Sequence, residues 1–138
     1  MSSLNPYLVT NGNGKEAVEF YKDALSAEVV IVQTFGEAPQ DPNYPVAEEA
    51  KDRIMHATLR FGESLLMLSD TFPGMPHQIG NHVTIALNVN DAESAKNMFH
   101  KLQQGGEVLM PIQETFWSPA YGMVKDKFGV TFHVSVEH

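Results

Sequence analysis

Cysteine is absent from the 138 residues. That excludes disulfides, thiolate metal ligands and a cysteine nucleophile. Basic residues are scarce: nine Lys and Arg stand against 17 Asp and Glu, a formal net charge of −8. Nucleic acid and anionic membrane both need a basic face, so neither is an expected partner. No apolar run approaches the roughly 20 residues that cross a bilayer. The opening Met1-Ser2-Ser3-Leu4-Asn5-Pro6 has neither the basic nor the apolar region of a secretion signal. The expectation is a cytoplasmic protein, a single domain over 1–138, large enough to bury a core without staples.

What the chain does contain is an internal repeat. A shift of 79 residues superposes Leu8 on Leu87, Asn11 on Asn90, Phe20 on Phe99, Lys22 on Lys101, Glu28 on Glu107 and Val29 on Val108. The order of elements repeats with it. Residues 5–10 read as a strand and Asn11-Gly12-Asn13-Gly14 as a turn. Ala17, Val18, Phe20, Tyr21, Ala24 and Leu25 recur at helical spacing. Residues 28–35 are β-branched and strand-like. Strands over 54–61 and 64–69 meet at Gly62-Glu63, which suits a tight hairpin.

The second half follows suit. Residues 83–89 alternate, Asp91 caps a helix that runs to about Gln104, and Gly105-Gly106 ends it. Strands are expected over 107–111, 122–125 and 130–136. Both halves read βαβββ, an α+β duplication with module one at 1–70, a Pro- and Gly-containing linker at 71–80 and module two at 81–138.

Gly12-Asn13-Gly14-Lys15-Glu16-Ala17 matches the G-x-G-x-x-G/A dinucleotide fingerprint between a strand and a helix. Pro6 in the strand before it, and closely spaced hairpin strands after the helix, oppose a doubly wound nucleotide sheet. The expected role is an Asn/Gly turn that starts a helix. Residues 35–51 carry Pro39, Pro42, Pro45 and several acids, which implies a surface loop or flap. Its Glu48-Glu49 pair is read as a solvated face.

The most distinctive stretch is residues 114–129, which crowds Phe116, the only Trp (Trp117) and Tyr121 among Ser118, Pro119 and Gly122. Large rings in a bendable backbone can wall a small-molecule site or lid a core. Beyond it, Val130, Phe132, Val134 and Val136 form one face of a strand, and Thr131, His133 and Ser135 the other. His133 can therefore offer one hydrogen bond to a ligand. No Asp-His-Ser set accompanies it, so nucleophilic catalysis has no support. His56 alternates with Ile54, Thr58 and Arg60, and His82 begins the strand of Thr84 and shares its face. His77 in the linker, His100 on the second helix and the terminal His138 read as solvated.

Asn5-Pro6-Tyr7-Leu8, residues 17–21, Phe35-Gly36-Glu37-Ala38-Pro39, Met55-His56-Ala57, Ser69-Asp70 and residues 114–129 together resemble the PhnB-like branch of the glyoxalase, bleomycin-resistance and extradiol-dioxygenase superfamily, the vicinal oxygen chelate fold. Members of that branch have also carried a demethylubiquinone methyltransferase label. The resemblance implies paired βαβββ modules forming a curled mixed sheet around a cavity, commonly in homodimers. In metal-using members, the first and last strands of each module supply four ligands. Carried onto this chain, those positions are Asn5, Leu66 or Met67, Thr84 and His133. One imidazole among them cannot hold a divalent ion, so no cofactor and no metal ligand is expected.

The functional expectation is sequestration or carriage of an apolar or aromatic small molecule by a homodimeric protein. Its ligand contacts would come from Tyr7, His56, His82, Thr84, Phe116, Trp117, Tyr121 and His133; no catalytic residue is assigned. The alternative is a metal-dependent lyase, isomerase or dioxygenase acting on vicinal oxygens, with a divalent metal as its cofactor.

Overall fold

The computed structural model describes residues 2–39, 41–43 and 45–137. The chain divides into two compact units, Met1–His77 and Gln78–His138. The first runs β1 (Tyr7–Thr10), α1 (Gly14–Ala24), β2 (Glu28–Thr34), β3 (Ile54–Phe61) and β4 (Ser64–Asp70). The second runs β5 (Ile85–Val89), α2 (Ala92–Leu102), β6 (Glu107–Gln113), β7 (Tyr121–Lys125) and β8 (Thr131–Val136). Both are βαβββ, so the α+β duplication expected from the repeat is what forms. The strands make two mixed sheets, ordered β1-β4-β3-β2 and β5-β8-β7-β6. In each, the first and last strands are parallel neighbours and the hairpin strands are antiparallel.

Each unit buries one face of its sheet beneath its helix. In α1, Ala17, Val18, Tyr21 and Ala24 are buried, and the helix packs on β3, β4 and β2. In α2 the buried set is Ala95, Phe99 and Leu102, over Phe132, Val134 and Val124, which are all buried too. The larger of these side chains, Val18, Phe99, Leu102, Val124, Phe132 and Val134, each contribute about 1.5–3 kcal/mol on leaving water. Gly122 explains how Phe99 fits: a Cβ there would lie 2.7 Å from the Phe99 ring and 2.9 Å from the Ile112 Cα. Asp91 caps α2 as expected, its carboxylate accepting from the Ser94 amide at 2.9 Å and the Ser94 hydroxyl at 2.8 Å. Gly62, at φ +59°, turns the β3–β4 hairpin. Pro111 lies in β6, an edge strand whose pairing with β7 is irregular, where its missing N–H costs no ladder bond.

The fingerprint-like turn has an internal occupant. Asp70, buried at the end of β4, accepts from the amides of Gly12 at 2.8 Å and Gly14 at 3.0 Å. It also accepts from the Thr10 hydroxyl at 2.7 Å and the Ile54 amide at 2.8 Å. Amides that would cradle a phosphate in a dinucleotide site are thus held by a carboxylate of the same unit. A Cβ on Gly14 would lie 2.6 Å from that carboxylate, so glycine is required there by close approach.

Between β2 and β3 the described residues form the expected surface connection, mostly exposed, with a 3-10 turn at Glu48–Ala50. Glu48 pairs with Lys51 at 2.9 Å on the exposed surface, which matches the solvated role read for it. Among the described residues no helix is long and apolar enough to cross a membrane.

Candidate functional site

In the second unit the face of the sheet turned away from α2 is made by alternate residues of each strand. Along β8, Phe132, Val134 and Val136 are buried while Thr131, His133 and Ser135 are half-buried, as the alternation implied. His133 pairs in register with Ala86 on β5 and Met123 on β7. Two positions along β7 from Met123 is Tyr121, so its phenol shares the face of His133.

These residues form one continuous chain of contacts. The Tyr121 hydroxyl lies 2.7 Å from His133 Nδ1. The other ring nitrogen, Nε2, lies 3.0 Å from the Thr84 hydroxyl. Trp117 stands edge-on to Tyr121 with ring centroids 5.3 Å apart, and Phe116 is edge-on to Trp117 at 4.8 Å. Such T-shaped pairs are favoured by the ring quadrupoles. Trp117 is 47% exposed and Phe116 94% exposed. A lid over the core would bury them; these rings face outward.

Ser118 fixes the loop that carries the two rings. Wholly buried, its hydroxyl reaches the Ala120 carbonyl at 2.8 Å and the Val136 carbonyl at 2.9 Å. The Val136 amide donates to it at 3.1 Å. A turn closes on the other side, where the Thr115 amide donates to the Ser118 carbonyl at 2.9 Å. At the far end of β7, buried Asp126 accepts from the amides of Phe128 and Val130, at 2.9 and 3.0 Å, and shapes the turn into β8.

The first unit carries a chain of the same composition on its own helix-free face. The Tyr7 hydroxyl is 3.3 Å from His56 Nδ1, and Nε2 is 2.8 Å from the Thr58 hydroxyl. Thr58 was not among the expected contacts, although its place two residues beyond His56 on one strand put it within reach. Ile54, by contrast, does not share the face of His56 as simple alternation implies. The β2–β3 register shifts between Gln33 and Thr34, and Ile54 is wholly buried against Gly14 on the helix side.

Two histidines depart from their expected places. His82 does not begin a strand: β5 starts at Ile85, and His82 is exposed ahead of it with no hydrogen bond among the described residues. Thr84 also precedes β5, and it reaches His133 from there. His77 is not merely solvated; its Nε2 lies 2.9 Å from the Val9 carbonyl and ties the residues after β4 to β1. His100 is exposed on α2 as read, and His138 lies outside the described residues.

The strand registers also decide between Leu66 and Met67. Tyr7 pairs with Met67 and Ala86 with His133, and the repeat superposes Tyr7 on Ala86. Met67 is therefore the counterpart of His133, whereas Leu66 is buried on the opposite face. The donors at the positions used by metal-binding members are then an amide, a thioether, a hydroxyl and one imidazole, whose two nitrogens already engage hydroxyls. Such a set does not fit a divalent ion. Among the described residues no three His, Cys, Asp or Glu are grouped to hold one.

Comparison with known proteins agrees with this architecture. Residues 3–134 match the family model of the glyoxalase/bleomycin resistance protein/dioxygenase superfamily. Protein YjdN of Escherichia coli is 34% identical, over 96% of this chain and 94% of its own length. The crystal structure of PA1353 from Pseudomonas aeruginosa is similar with a TM-score of 0.88 and 37% identity, covering 99% of this chain and 98% of that one. A Bacillus cereus PhnB protein, described as a putative 3-demethylubiquinone-9 3-methyltransferase, shares the fold with a TM-score of 0.78 and 24% identity over 98% of this chain and 99% of its own.

Proposed function

The chain belongs to the glyoxalase/bleomycin resistance protein/dioxygenase superfamily, and from that premise we propose that it binds an apolar or aromatic small molecule on the helix-free face of its second unit. The observation that carries this reading is the outward ladder Phe116–Trp117–Tyr121 ending on His133. Exposed rings supply stacking area, and the imidazole with its two hydroxyls supplies polar orientation at one end. Retention of the molecule, rather than its conversion, is the role. The donor set at the family's ligand positions offers no Lewis acid a seat, and among the described residues no carboxylate pairs with His133 to complete a triad with its neighbouring hydroxyls.

Methyl transfer, the activity in the Bacillus protein's description, draws no support from the fingerprint-like turn, because Asp70 occupies its amides. Metal-assisted lyase, isomerase or dioxygenase chemistry is the reading to test against retention. Metal analysis of untagged protein after supplementation separates them: stoichiometric, tightly held metal would replace retention with the enzyme reading. Direct support would be saturable change in Trp117 emission on titration with an aromatic fragment set. A set that leaves the emission unmoved would remove the proposal. Pairing of two chains through the exposed apolar edges of β2 and β6 belongs to the same reading; Val30, Ile31, Leu109 and Met110 are open there. A monomeric mass by light scattering at micromolar concentration would exclude it.

A further inference from the structure

The polar end of the ladder has a chemical preference of its own. His133 has a hydroxyl on each nitrogen, Tyr121 at 2.7 Å and Thr84 at 3.0 Å. A neutral imidazole donates from one nitrogen and accepts at the other, and a hydroxyl can do either. The chain can therefore run in two directions. In one, Tyr121 donates to Nδ1, Nε2–H donates to Thr84, and the Thr84 hydroxyl proton points outward. In the other, Thr84 donates to Nε2, Nδ1–H donates to Tyr121, and the phenol proton points outward. Each end thus offers a proton or a lone pair as the ring changes tautomer, without any change of charge.

A partner that donates and accepts at once, an uncharged hydroxyl, suits such a chain in both directions. A carboxylate or phosphate only accepts, and it is best held by a fixed cation. None stands in the chain. Lys125 shares the β7 face, but it lies four residues from Tyr121, about 13 Å along a strand rising roughly 3.3 Å per residue. The formal net charge of −8 opposes anions further.

The first unit supports this preference independently. Tyr7, His56 and Thr58 make the same connection, phenol on Nδ1 and threonine on Nε2. They do so from other positions: His56 is on β3, whereas His133 is on β8, the counterpart of β4. The two chains therefore use non-equivalent positions of the repeat. The cation on that face, Arg60, is paired with Glu28 at 3.4 Å.

Resting on the retention reading above, we infer that the second unit's site selects an uncharged hydroxyl borne on a planar apolar frame, and discriminates against carboxylate and phosphate. Three probes of one frame test it: 2-naphthol, naphthalene and 2-naphthoate at pH 7.5. Calorimetry gives the affinities. The single indole N–H resonance of Trp117 reports engagement of the ladder. The expected order is 2-naphthol at least tenfold tighter than naphthalene, with 2-naphthoate no tighter than naphthalene. In Tyr121→Phe, which keeps the ring, the naphthol-to-naphthalene ratio should fall below about threefold. His133→Gln should do the same if the first variant folds poorly. Equal affinity for naphthol and naphthalene, or a preference for naphthoate, would overturn the inference while leaving small-molecule retention standing. So would an undiminished ratio in both variants. An indole resonance that none of the three probes moves would bring down the retention reading and this inference with it.

Discussion

Replacing Asp70 with Ala tests how the first unit is held together. The carboxylate accepts four hydrogen bonds, from the Thr10 hydroxyl and the amides of Gly12, Gly14 and Ile54. A hydrogen bond to a charged acceptor contributes about 1.5–3 kcal/mol, and a buried donor left without a partner costs about 1–3 kcal/mol. The terms do not add, because the four donors share one site and water enters the space left by truncation. About 4–5 kcal/mol is therefore expected for Asp70→Ala, the upper range for a single substitution. Asp70→Asn keeps the shape but turns one acceptor into a donor, and about 2–3 kcal/mol is expected from that mismatch. Urea unfolding followed by far-ultraviolet circular dichroism is the assay. Trp117 lies in the other unit, so its fluorescence is not the right probe. The midpoint should fall with little change in slope. A loss below about 1 kcal/mol for Asp70→Ala would refute the view that this carboxylate organises the β1–α1 turn and the start of β3.

Three further outcomes are expected. The Asp91 carboxyl is held below its usual 3.8, chiefly by the Ser94 amide and then the Ser94 hydroxyl. A depressed folded value means a contribution complete above the unfolded value and lost as pH falls through the folded one, so the stability gap between wild type and Asp91→Asn should close in acid; a gap that widens there would contradict the cap. Gly122→Ala should destabilise the second unit by about 1–3 kcal/mol by overpacking against Phe99 and the backbone of Ile112, read from the denaturant midpoint of Trp117 emission; a neutral result would mean that α2 shifts freely over β7. Chelator should leave the melting temperature unchanged, since a metal bound only to the native state would raise it with concentration; a drop restored by one divalent ion would show ligands beyond Asn5, Met67, Thr84 and His133.

Much of the fold was legible because period and punctuation agreed. The alternation across Phe132, Val134 and Val136, the helical spacing of Ala17, Tyr21 and Ala24, and the capping Asp91 each depend on neighbours within a few residues. β1 begins at Tyr7, two residues after the expected start, because Pro6 carries no N–H to extend a strand, even though its carbonyl accepts from the Met67 amide at 3.1 Å. What stayed hidden depends on contacts distant in sequence. Three of the four donors that Asp70 serves lie 56 to 60 residues before it, and no local pattern distinguishes it from a surface acid at a strand end. Ser118 anchors its loop through bonds to Val136, 18 residues on, which its turn-rich neighbourhood does not reveal. The shift beside Met55 that turns Ile54 inward follows from β2 pairing, not from β3 itself. At the candidate site, the aromatic stretch and His133 were visible as residue types. That Tyr121, His133 and Thr84 form one chain was not, because two strand pairings, β7–β8 and β5–β8, bring them together, with Thr84 reaching in from just ahead of β5.

The claim that the outward aromatic ladder is a binding surface meets its most direct test in Trp117→Ala. A fully buried Trp covers about 150–250 Å², and at 47% exposure roughly half of that remains for a ligand to cover. At about 25 cal/mol per Å², about 1–2 kcal/mol of affinity is expected from that area after binding costs. Calorimetric titration with naphthalene, alongside a thermal or urea melt of the same variant, gives both numbers. The expected result is affinity weakened five- to thirtyfold with a stability loss no greater than about 2 kcal/mol. Unchanged affinity with about 3–5 kcal/mol of stability lost, the cost of emptying a core position, would contradict it and make the segment structural.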